Sequence, residues 1–286
     1  MEDVKLIREE ENDFYQKILF ERPISRLQAR KIGVLAGKHA QLKRINDIYQ
    51  IVLAMNHDII FVAEEELKSA GVPADIFLYG GKKGTLPFEN TDEAIHTLQD
   101  CSYIAVGMDI EISSRLQIFL EKLVNSRQAP IVFTSESVNL FKITPSLALK
   151  RKGDIFICNT KKLVELANYL HLPVNFTSNA GIYNKINLLK QLAEFLQANI
   201  ICIENYQVIS CSYTSLHQAG IINLNNSDDI SIDYLYIPIL LSLLCDVTNP
   251  EFDMLKRILT AGYLLRKSLV DKNSFFQNLA HALQEK

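Results

Sequence analysis

Seven residues that could hold or transform a ligand stand at the ends of apolar runs, where a strand meets a loop or a loop meets a helix. A carboxylate at such a place can act as a general acid or base, and an amide or hydroxyl can hydrogen-bond a polar ligand. Glycine allows the tight turn and close backbone approach that a phosphate needs at a helix N-terminus. The candidates are Gly37, Gly107, Glu136, Asn139, Asn159, Ser231 and Asp233.

The same residues also have purely structural explanations. Asp233 comes directly before the apolar run 234–245, where an aspartate can cap a helix, and Asp229 or Ser231 would serve equally well. Asn159 can cap a helix in the same way. A carboxylate at Glu136, after a strand, can simply favour the dipole of a short helix. The residue types alone therefore leave chemistry and capping both open.

The composition bounds the class of protein. The chain has 286 residues, of which 48% are hydrophobic, so it can bury a full core. We find no long linker, low-complexity tract or internal repeat, and we predict a single α/β domain over residues 1–286. A leading helix is expected over residues 1–22, because apolar residues recur at helical spacing before Pro23. The core then covers residues 23–286.

Charge and cysteine usage exclude several kinds of partner. The net charge of −3 provides no basic patch, so we predict neither nucleic-acid nor membrane binding. The longest apolar run, 234–245, is too short to cross a bilayer and contains Pro238. The five cysteines are far apart or inside apolar runs, without metal-ligand spacing. The acidic start does not resemble a signal peptide, and a cytoplasmic protein with a small-molecule or protein partner is predicted.

Short aliphatic runs alternate with amphipathic stretches along most of the chain. Runs such as 32–36, 131–133 and 154–158 are continuous rather than alternating, which is typical of parallel strands buried on both faces. We therefore predict a three-layer α/β/α fold with a mostly parallel central sheet and helices on both faces. Residues 200–212 predict two strands that turn at Glu204-Asn205. Three C-terminal helices follow, and the first two form a buried pair.

The C-terminal region carries more aromatic and aliphatic surface than helices covering one sheet face need. Because most soluble oligomers are homo-oligomers, we expect some of these side chains to form a symmetric interface. The prediction is a dimer or larger assembly.

The loops, taken in order over residues 32–269, resemble those of the ribokinase-like superfamily, and within it those of the ADP- or ATP-dependent NAD(P)H-hydrate dehydratases. Residues 105–111 resemble the motif G-P-G-L-G, in which only Gly107 agrees, and residues 131–140 resemble D-A-D-A-L-N, with Glu136 at the second acid and Asn139 at the asparagine. Residues 154–162 resemble T-P-H-P-G-E or the kinase motif N-x-x-E, and Asn159 fits the kinase motif. Residues 201–205 stand in the place of L-K-G, and residues 230–233 in the place of G-T-G-D.

This resemblance implies a role for each candidate. Asp233 would be the catalytic acid or base, and Asn159 would lie near the metal. Gly37, Gly107 and Ser231 would face the nucleotide. Glu136 and Asn139 would bind the substrate. The implied cofactor is ADP or ATP with Mg²⁺, and the family it resembles also forms oligomers.

Several departures weaken the site that the resemblance implies. Ile230 and Ile232 replace glycines in the anion-binding loop, where branched side chains crowd a phosphate and resist positive φ. Glu204 replaces a lysine and would add negative charge near an anionic ligand. Lys162 replaces a glutamate and would remove a carboxylate from a magnesium site. The loop is therefore expected to bind polyphosphate poorly.

Three interpretations remain open. The chain is an active dehydratase or kinase that uses Asp233, or a pseudoenzyme that keeps the fold as a binding or assembly module. In the third, the resemblance reflects only a common architecture, since one fold serves many functions. The coincidence of several departures favours the pseudoenzyme.

Overall fold

A computed structural model describes residues 4–8, 14–20, 30–37, 41–80, 88–149, 151–174, 181–224, 232–245, 253–270 and 274–284. Ten strands within these ranges form one sheet. The strands are β1 (Lys5–Arg8), β2 (Lys31–Ala36), β3 (Asp58–Glu64), β4 (Ile76–Leu78), β5 (Tyr103–Met108), β6 (Ile131–Thr134), β7 (Ile155–Cys158), β8 (Asn199–Glu204), β9 (Gln207–Ser212) and β10 (Gln218–Asn223).

The sheet is mostly parallel, as predicted. Its order is β1-β10-β9-β8-β7-β6-β5-β2-β3-β4, and only β9 of these strands runs antiparallel to its neighbours. The chain winds from β2 outward to β3 and β4, then returns to β5 on the other side of β2 and continues to β8. Ligands in such sheets bind at the carboxyl ends of the strands where the winding reverses. This point lies between β2 and β5.

Helices cover both faces of the sheet, which confirms the three-layer arrangement. One face carries α1, α2 and α9 to α11, and the other carries α3 to α8. Short 3₁₀ turns span Glu65–Lys68 and Ser135–Ser137. The helices are α1 (Phe14–Phe20), α2 (Leu42–Ala54), α3 (Thr91–Gln99), α4 (Ser114–Ser126), α5 (Val138–Ile143), α6 (Ser146–Leu149), α7 (Thr160–Tyr169), α8 (Ile182–Leu196), α9 (Ile232–Cys245), α10 (Met254–Ser268) and α11 (Phe275–Ala282).

The predicted buried pair of C-terminal helices is α9 and α10. Every residue of α9 from 234 to 245 is buried, because the helix lies under the sheet and against α2 and α10. The hydroxyl of Tyr236 donates to the carbonyl of Ile258 at 3.0 Å and ties the two helices together. Pro238 lies inside α9, and the hydroxyl of Ser242 donates to its carbonyl at 2.8 Å. No helix within the described ranges is long and apolar enough to span a bilayer.

The N-terminal segment differs from the prediction of one leading helix. Residues Lys5–Arg8 form β1, which pairs in parallel with β10, and the helix α1 starts only at Phe14. Leu6 and Ile7 pack against the cores on opposite faces of the sheet, which suits a strand and not one helical stripe. The strand β10 was not predicted either. The predicted hairpin is present as β8 and β9, with Asn205 and Tyr206 at positive φ in its turn.

Candidate functional site

The end of β2 passes very close to the turn that follows β5. The amide of Gly37 donates to the carbonyl of Met108 at 2.9 Å. A Cβ at Gly37 would lie 2.4 Å from the carbonyl oxygen of Asp109 and 2.5 Å from the Cα of Ile110. Glycine is thus required here by the approach of two backbone segments, whether or not a ligand also binds.

Gly107 has a similar structural reason. The pairing of β2 with β5 skips this residue, and its φ is +112°, a conformation that other residues rarely adopt. A Cβ would lie 2.2 Å from Oγ1 of Thr134 and 3.0 Å from Cβ of Ser137. The hydroxyl of Thr134 donates to the carbonyl of Gly107 at 2.6 Å and so satisfies a group that lies outside the strand ladder. This bulge directs the next residues, Met108 and Asp109, toward α2 and α9.

Asp109 joins Arg44 and Tyr234 in one cluster at this end of the sheet. Nη1 of Arg44 lies 3.3 Å from each carboxylate oxygen of Asp109, and the guanidinium carbon lies 4.4 Å from the ring centroid of Tyr234. Asp109 itself has a φ of +53°, an uncommon conformation for a residue other than glycine. Arg44 is in the first turn of α2, where the helix dipole disfavours a cation. Asp109 compensates that unfavourable charge.

Tyr234 places its hydroxyl in a buried position beside Asp109 and Arg44. The residue is 8% exposed, and among the described residues no contact of the hydroxyl has the distance and angle of a well-formed hydrogen bond. Burial raises the pKa of Tyr234 well above its usual range, and a polar contact with the carboxylate of Asp109 together with its negative charge raises it further. The phenol is therefore neutral and can both donate and accept a hydrogen bond.

These residues surround a small cavity at the carboxyl ends of β5 and β6. Its volume is about 80 Å³, whereas pockets for drug-sized ligands have roughly 300–1,000 Å³. The cavity itself has room for a few heavy atoms. The cavity is lined by Arg44, Gly107, Met108, Asp109, Thr134, Glu136, Tyr234 and Ile237.

Asn159 and Asn139 lie at the neighbouring strand ends. The side chain of Asn159 accepts from the amide of Lys162 at 2.9 Å, so Asn159 is the N-cap of α7. Nζ of Lys162 lies 2.6 Å from the carboxylate of Glu165 and 3.5 Å from Oδ1 of Asn139. Lys162, which replaces the expected glutamate, therefore neutralises the carboxylate of Glu165 one turn further along α7.

Glu204, at the end of β8, does not present a free negative charge, contrary to our expectation. Nζ of Lys185 lies 2.6 Å from Oε2 of Glu204, and the hydroxyl of Thr160 donates to the same oxygen at 2.5 Å. Burial acts to raise the pKa of Glu204, but the hydrogen bonds from Lys185 and Thr160 and the lysine charge outweigh it and lower the pKa. The carboxylate is thus charged and already compensated.

The remaining predictions concern the start of α9. Ile230 and Ser231 lie outside the described residues. Asp233 is the second residue of α9, next to Tyr234, whose ring lines the cavity. The backbone of the candidate catalytic residue is therefore at the carboxyl edge with Gly37, Gly107 and Glu136. Its role, like that of the other candidates, stays a prediction.

Sequence reasoning did not single out the cluster of Arg44, Asp109 and Tyr234. One available signal was the cation in the first turn of a helix, which calls for a nearby anion. Within the described ranges, no group of three or more His, Cys, Asp or Glu side chains could hold a metal ion. The polar groups of this edge suit hydrogen bonding and charge pairing.

No protein-family model and no curated protein matches the sequence. Solved structures do match over nearly the whole chain. A ribokinase-like superfamily protein from Enterococcus faecalis has a TM-score of 0.67 at 12% identity, with 98% of this chain and 95% of that chain covered. A hypothetical protein from Streptococcus mutans gives 0.68 at 9% identity, with coverage of 95% and 97%.

An ADP/ATP-dependent NAD(P)H-hydrate dehydratase from Bacillus subtilis, co-crystallised with ATP and Mg²⁺, also matches. Its TM-score is 0.61 at 13% identity, and 93% of this chain and 95% of that chain are covered. Identities this low show a common fold and leave the activity open. The chain has the ribokinase-like fold, as the order of its loops suggested.

Proposed function

We propose that this protein is a ribokinase-like pseudoenzyme, in which a remodelled nucleotide site serves binding or assembly and no longer supports NAD(P)H-hydrate dehydration or phosphoryl transfer. One observation carries the proposal: two cations that the structure describes at the carboxyl edge of the sheet are each paired with a carboxylate. Arg44 is engaged with Asp109, and Lys185 with Glu204. A polyphosphate needs such cations to face the ligand.

The space at this edge supports the same proposal. Arg44 and Asp109 keep only 32% and 19% of their side-chain area exposed, because they pack against each other and Arg44 also packs on Tyr234. A phosphate group that bound Arg44 would have to displace Asp109 from it. The free energy needed for that displacement would reduce the affinity for the nucleotide.

The alternative is an active ADP- or ATP-dependent dehydratase or a small-molecule kinase that uses Asp233 as acid or base. The place of Asp233 in the first turn of α9 favours it, since its neighbour Tyr234 lines the cavity. The likeness to a dehydratase that was crystallised with ATP and Mg²⁺ is consistent with it as well. In this case Ser231 and Asn159 would help to hold the nucleotide.

A thermal-shift titration separates the two functions. ATP, ADP, NADH and NADPH are added with and without Mg²⁺, because a ligand at a hundred times its Kd stabilises the folded state by about 2.7 kcal/mol. We expect no Mg²⁺-dependent shift with ATP or ADP. A clear shift would support the enzyme, and Asp233→Asn would then abolish turnover with little change in melting temperature.

A homo-oligomer of this protein is part of the proposal. Hydrophobic side chains exposed on the described surface, such as Ile143, Tyr183 and Val270, are available for such contacts. Light scattering at micromolar concentration tests this, and a monomeric mass would count against it.

A further inference from the structure

We propose that Cys158 and Cys202 are a site of reversible oxidation, at which a peroxide joins the two thiols in a disulfide between β7 and β8. This site goes beyond the proposed function and does not depend on it, because the thiols lie in the core below the carboxyl edge of the sheet. Three features support it: the pairing of the two strands, the shared face of the two side chains and the hydrogen bonds above Cys202.

Cys158 and Cys202 lie directly opposite each other on neighbouring parallel strands. Cys158 is the last residue of β7, and its register partner on β8 is Cys202. Both side chains belong to the core on the same face of the sheet. Neighbouring strands lie about 4.7–4.9 Å apart, and disulfides join residues whose Cα atoms are about 4.4–6.8 Å apart. The sheet therefore holds the two residues at a separation that a disulfide can bridge.

This arrangement distinguishes the pair from the remaining cysteines. All five cysteines are buried thiols. Within the described strands, no other two cysteines are register partners: Cys211 lies opposite Ile200, Cys101 precedes β5, and Cys245 is the last residue of α9. The fold thus predicts one specific disulfide.

The hydrogen bonds above Cys202 provide an acceptor for its proton. Sγ of Cys202 lies 3.4 Å from Oγ1 of Thr160, and the hydroxyl of Thr160 donates to Oε2 of Glu204 at 2.5 Å. Because Thr160 has one proton and gives it to Glu204, the S–H of Cys202 is the donor in the contact with Thr160. Thr160 can accept this proton and pass its own to the carboxylate of Glu204. Since the thiolate is the nucleophile, Cys202 is the thiol that reacts first.

The oxidation balances with hydrogen peroxide as the oxidant. The sulfur of Cys202 attacks one peroxide oxygen, the O–O bond breaks, and the leaving hydroxide takes up the thiol proton to give water and a sulfenic acid. The sulfur of Cys158 then attacks the sulfenic sulfur, and its proton leaves with the hydroxyl group as a second water. Two electrons pass from the two sulfurs to the peroxide. A reducing dithiol reverses the reaction by thiol–disulfide exchange.

Burial makes this reaction slow and selects a small oxidant. Both cysteines are 1% exposed, so the side chains that cover them have to move before an oxidant can enter. The cover is thin, because Asn159 next to Cys158 is exposed and Glu204 keeps 31% of its side-chain area exposed. Hydrogen peroxide has two heavy atoms and can enter through a small opening, whereas oxidised glutathione is too large.

The test treats the folded protein with hydrogen peroxide, blocks the remaining thiols with iodoacetamide in denaturant, and maps the peptides by mass spectrometry. We expect the loss of two of the five thiols, a cross-link between residues 158 and 202, and full recovery with dithiothreitol. Oxidised glutathione should give no cross-link while the protein is folded. No cross-link with peroxide, or an equal yield of cross-links that involve Cys211, would overturn the proposal.

Variants that melting scans show to be folded test the order of the two steps. Cys158→Ala should stop at a sulfenic acid on Cys202, which dimedone traps, and Cys202→Ala should form far less of it. Thr160→Val keeps the shape and should slow the loss of thiols by about tenfold or more, because the proton loses its acceptor. Thr160→Ser keeps the hydroxyl and should react like the unmodified protein.

Cys211→Ala is the matched control, since Cys211 is buried on the neighbouring strand β9, and it should cross-link at the unmodified rate. Equal trapping by dimedone in Cys158→Ala and Cys202→Ala, or equal rates for Thr160→Val and Thr160→Ser, would overturn the assignment of Cys202 as the first thiol to react.

Discussion

The ion pair between Arg44 and Asp109 should contribute measurably to stability, and a double-mutant cycle isolates its contribution. Arg44→Met keeps much of the aliphatic stem while it removes the charge. Asp109→Asn removes the opposite charge and still tolerates the φ of +53° at this position, since asparagine is enriched in that conformation. The two changes together with the double variant give the coupling energy.

The structure sets the expected magnitude. Fully exposed pairs contribute about 0.2–1 kcal/mol, and breaking a fully buried pair costs about 3–5 kcal/mol. Arg44 and Asp109 are 32% and 19% exposed, which is between these cases. We expect a coupling energy of about 1–2 kcal/mol. Loss of the contact with the ring of Tyr234 adds about 0.5–1 kcal/mol to the cost of Arg44→Met, but removal of a cation from the first turn of α2 offsets about 0.3–1 kcal/mol. We therefore expect the two single variants to cost about the same.

Urea unfolding followed by circular dichroism measures all four proteins, provided that the m-values agree. The coupling should fall only modestly in high salt, since the pair is partly buried. A coupling energy indistinguishable from zero would show that the pair does not hold the carboxyl edge closed.

Three further results are expected. Gly107→Ala should destabilise the protein by about 1–3 kcal/mol more than Gly71→Ala in urea unfolding. Both glycines have positive φ, but only an alanine at position 107 would bring its Cβ against Thr134. Equal losses for the two variants would contradict the steric explanation. Glu204→Gln should lower stability at neutral pH and have no effect well below the ordinary carboxyl pKa of about 4.3. The lowered pKa of Glu204 stabilises the fold above that value, and this contribution disappears as the pH falls through the folded-state pKa. A loss of melting temperature that does not depend on pH would refute this. Asn159→Ala should cost about 1 kcal/mol of unfolding free energy through the loss of the cap, and an aspartate at the same position (Asn159→Asp) should retain the cap. If Asn159→Ala is as stable as the unmodified protein, the assignment of Asn159 as a cap is wrong.

The sequence was sufficient for the central strands and most helices, because their apolar runs are continuous. It was insufficient at one end of the sheet. β10 contains Gly220 and polar ends, and a Cβ at Gly220 would lie 2.7 Å from Oγ of Ser210 and 2.8 Å from Cδ1 of Leu255. β1 is a four-residue strand that only its partner β10 defines. Both strands depend on tertiary pairing, which local patterns do not encode.

The candidate site was predicted only in outline. The positions of Gly37, Gly107 and Glu136 at strand ends followed from the alternation of strands and helices. Their neighbours did not, because Arg44 and Asp109 are 65 residues apart in the chain. The expected repulsion by Glu204 was wrong for the same reason, since the sequence does not reveal that Lys185 lies beside it. Which charged residues pair across the fold is known only from the three-dimensional structure.

The central claim is that the reaction of the dehydratases which this fold resembles is absent. The most direct test is to incubate the protein with hydrated NADPH, Mg²⁺ and either ADP or ATP, and to follow the recovery of NADPH absorbance. The Bacillus subtilis dehydratase serves as the positive control. We predict no recovery above the rate without protein, for either nucleotide. A nucleotide-dependent recovery that Asp233→Asn abolishes would contradict the account.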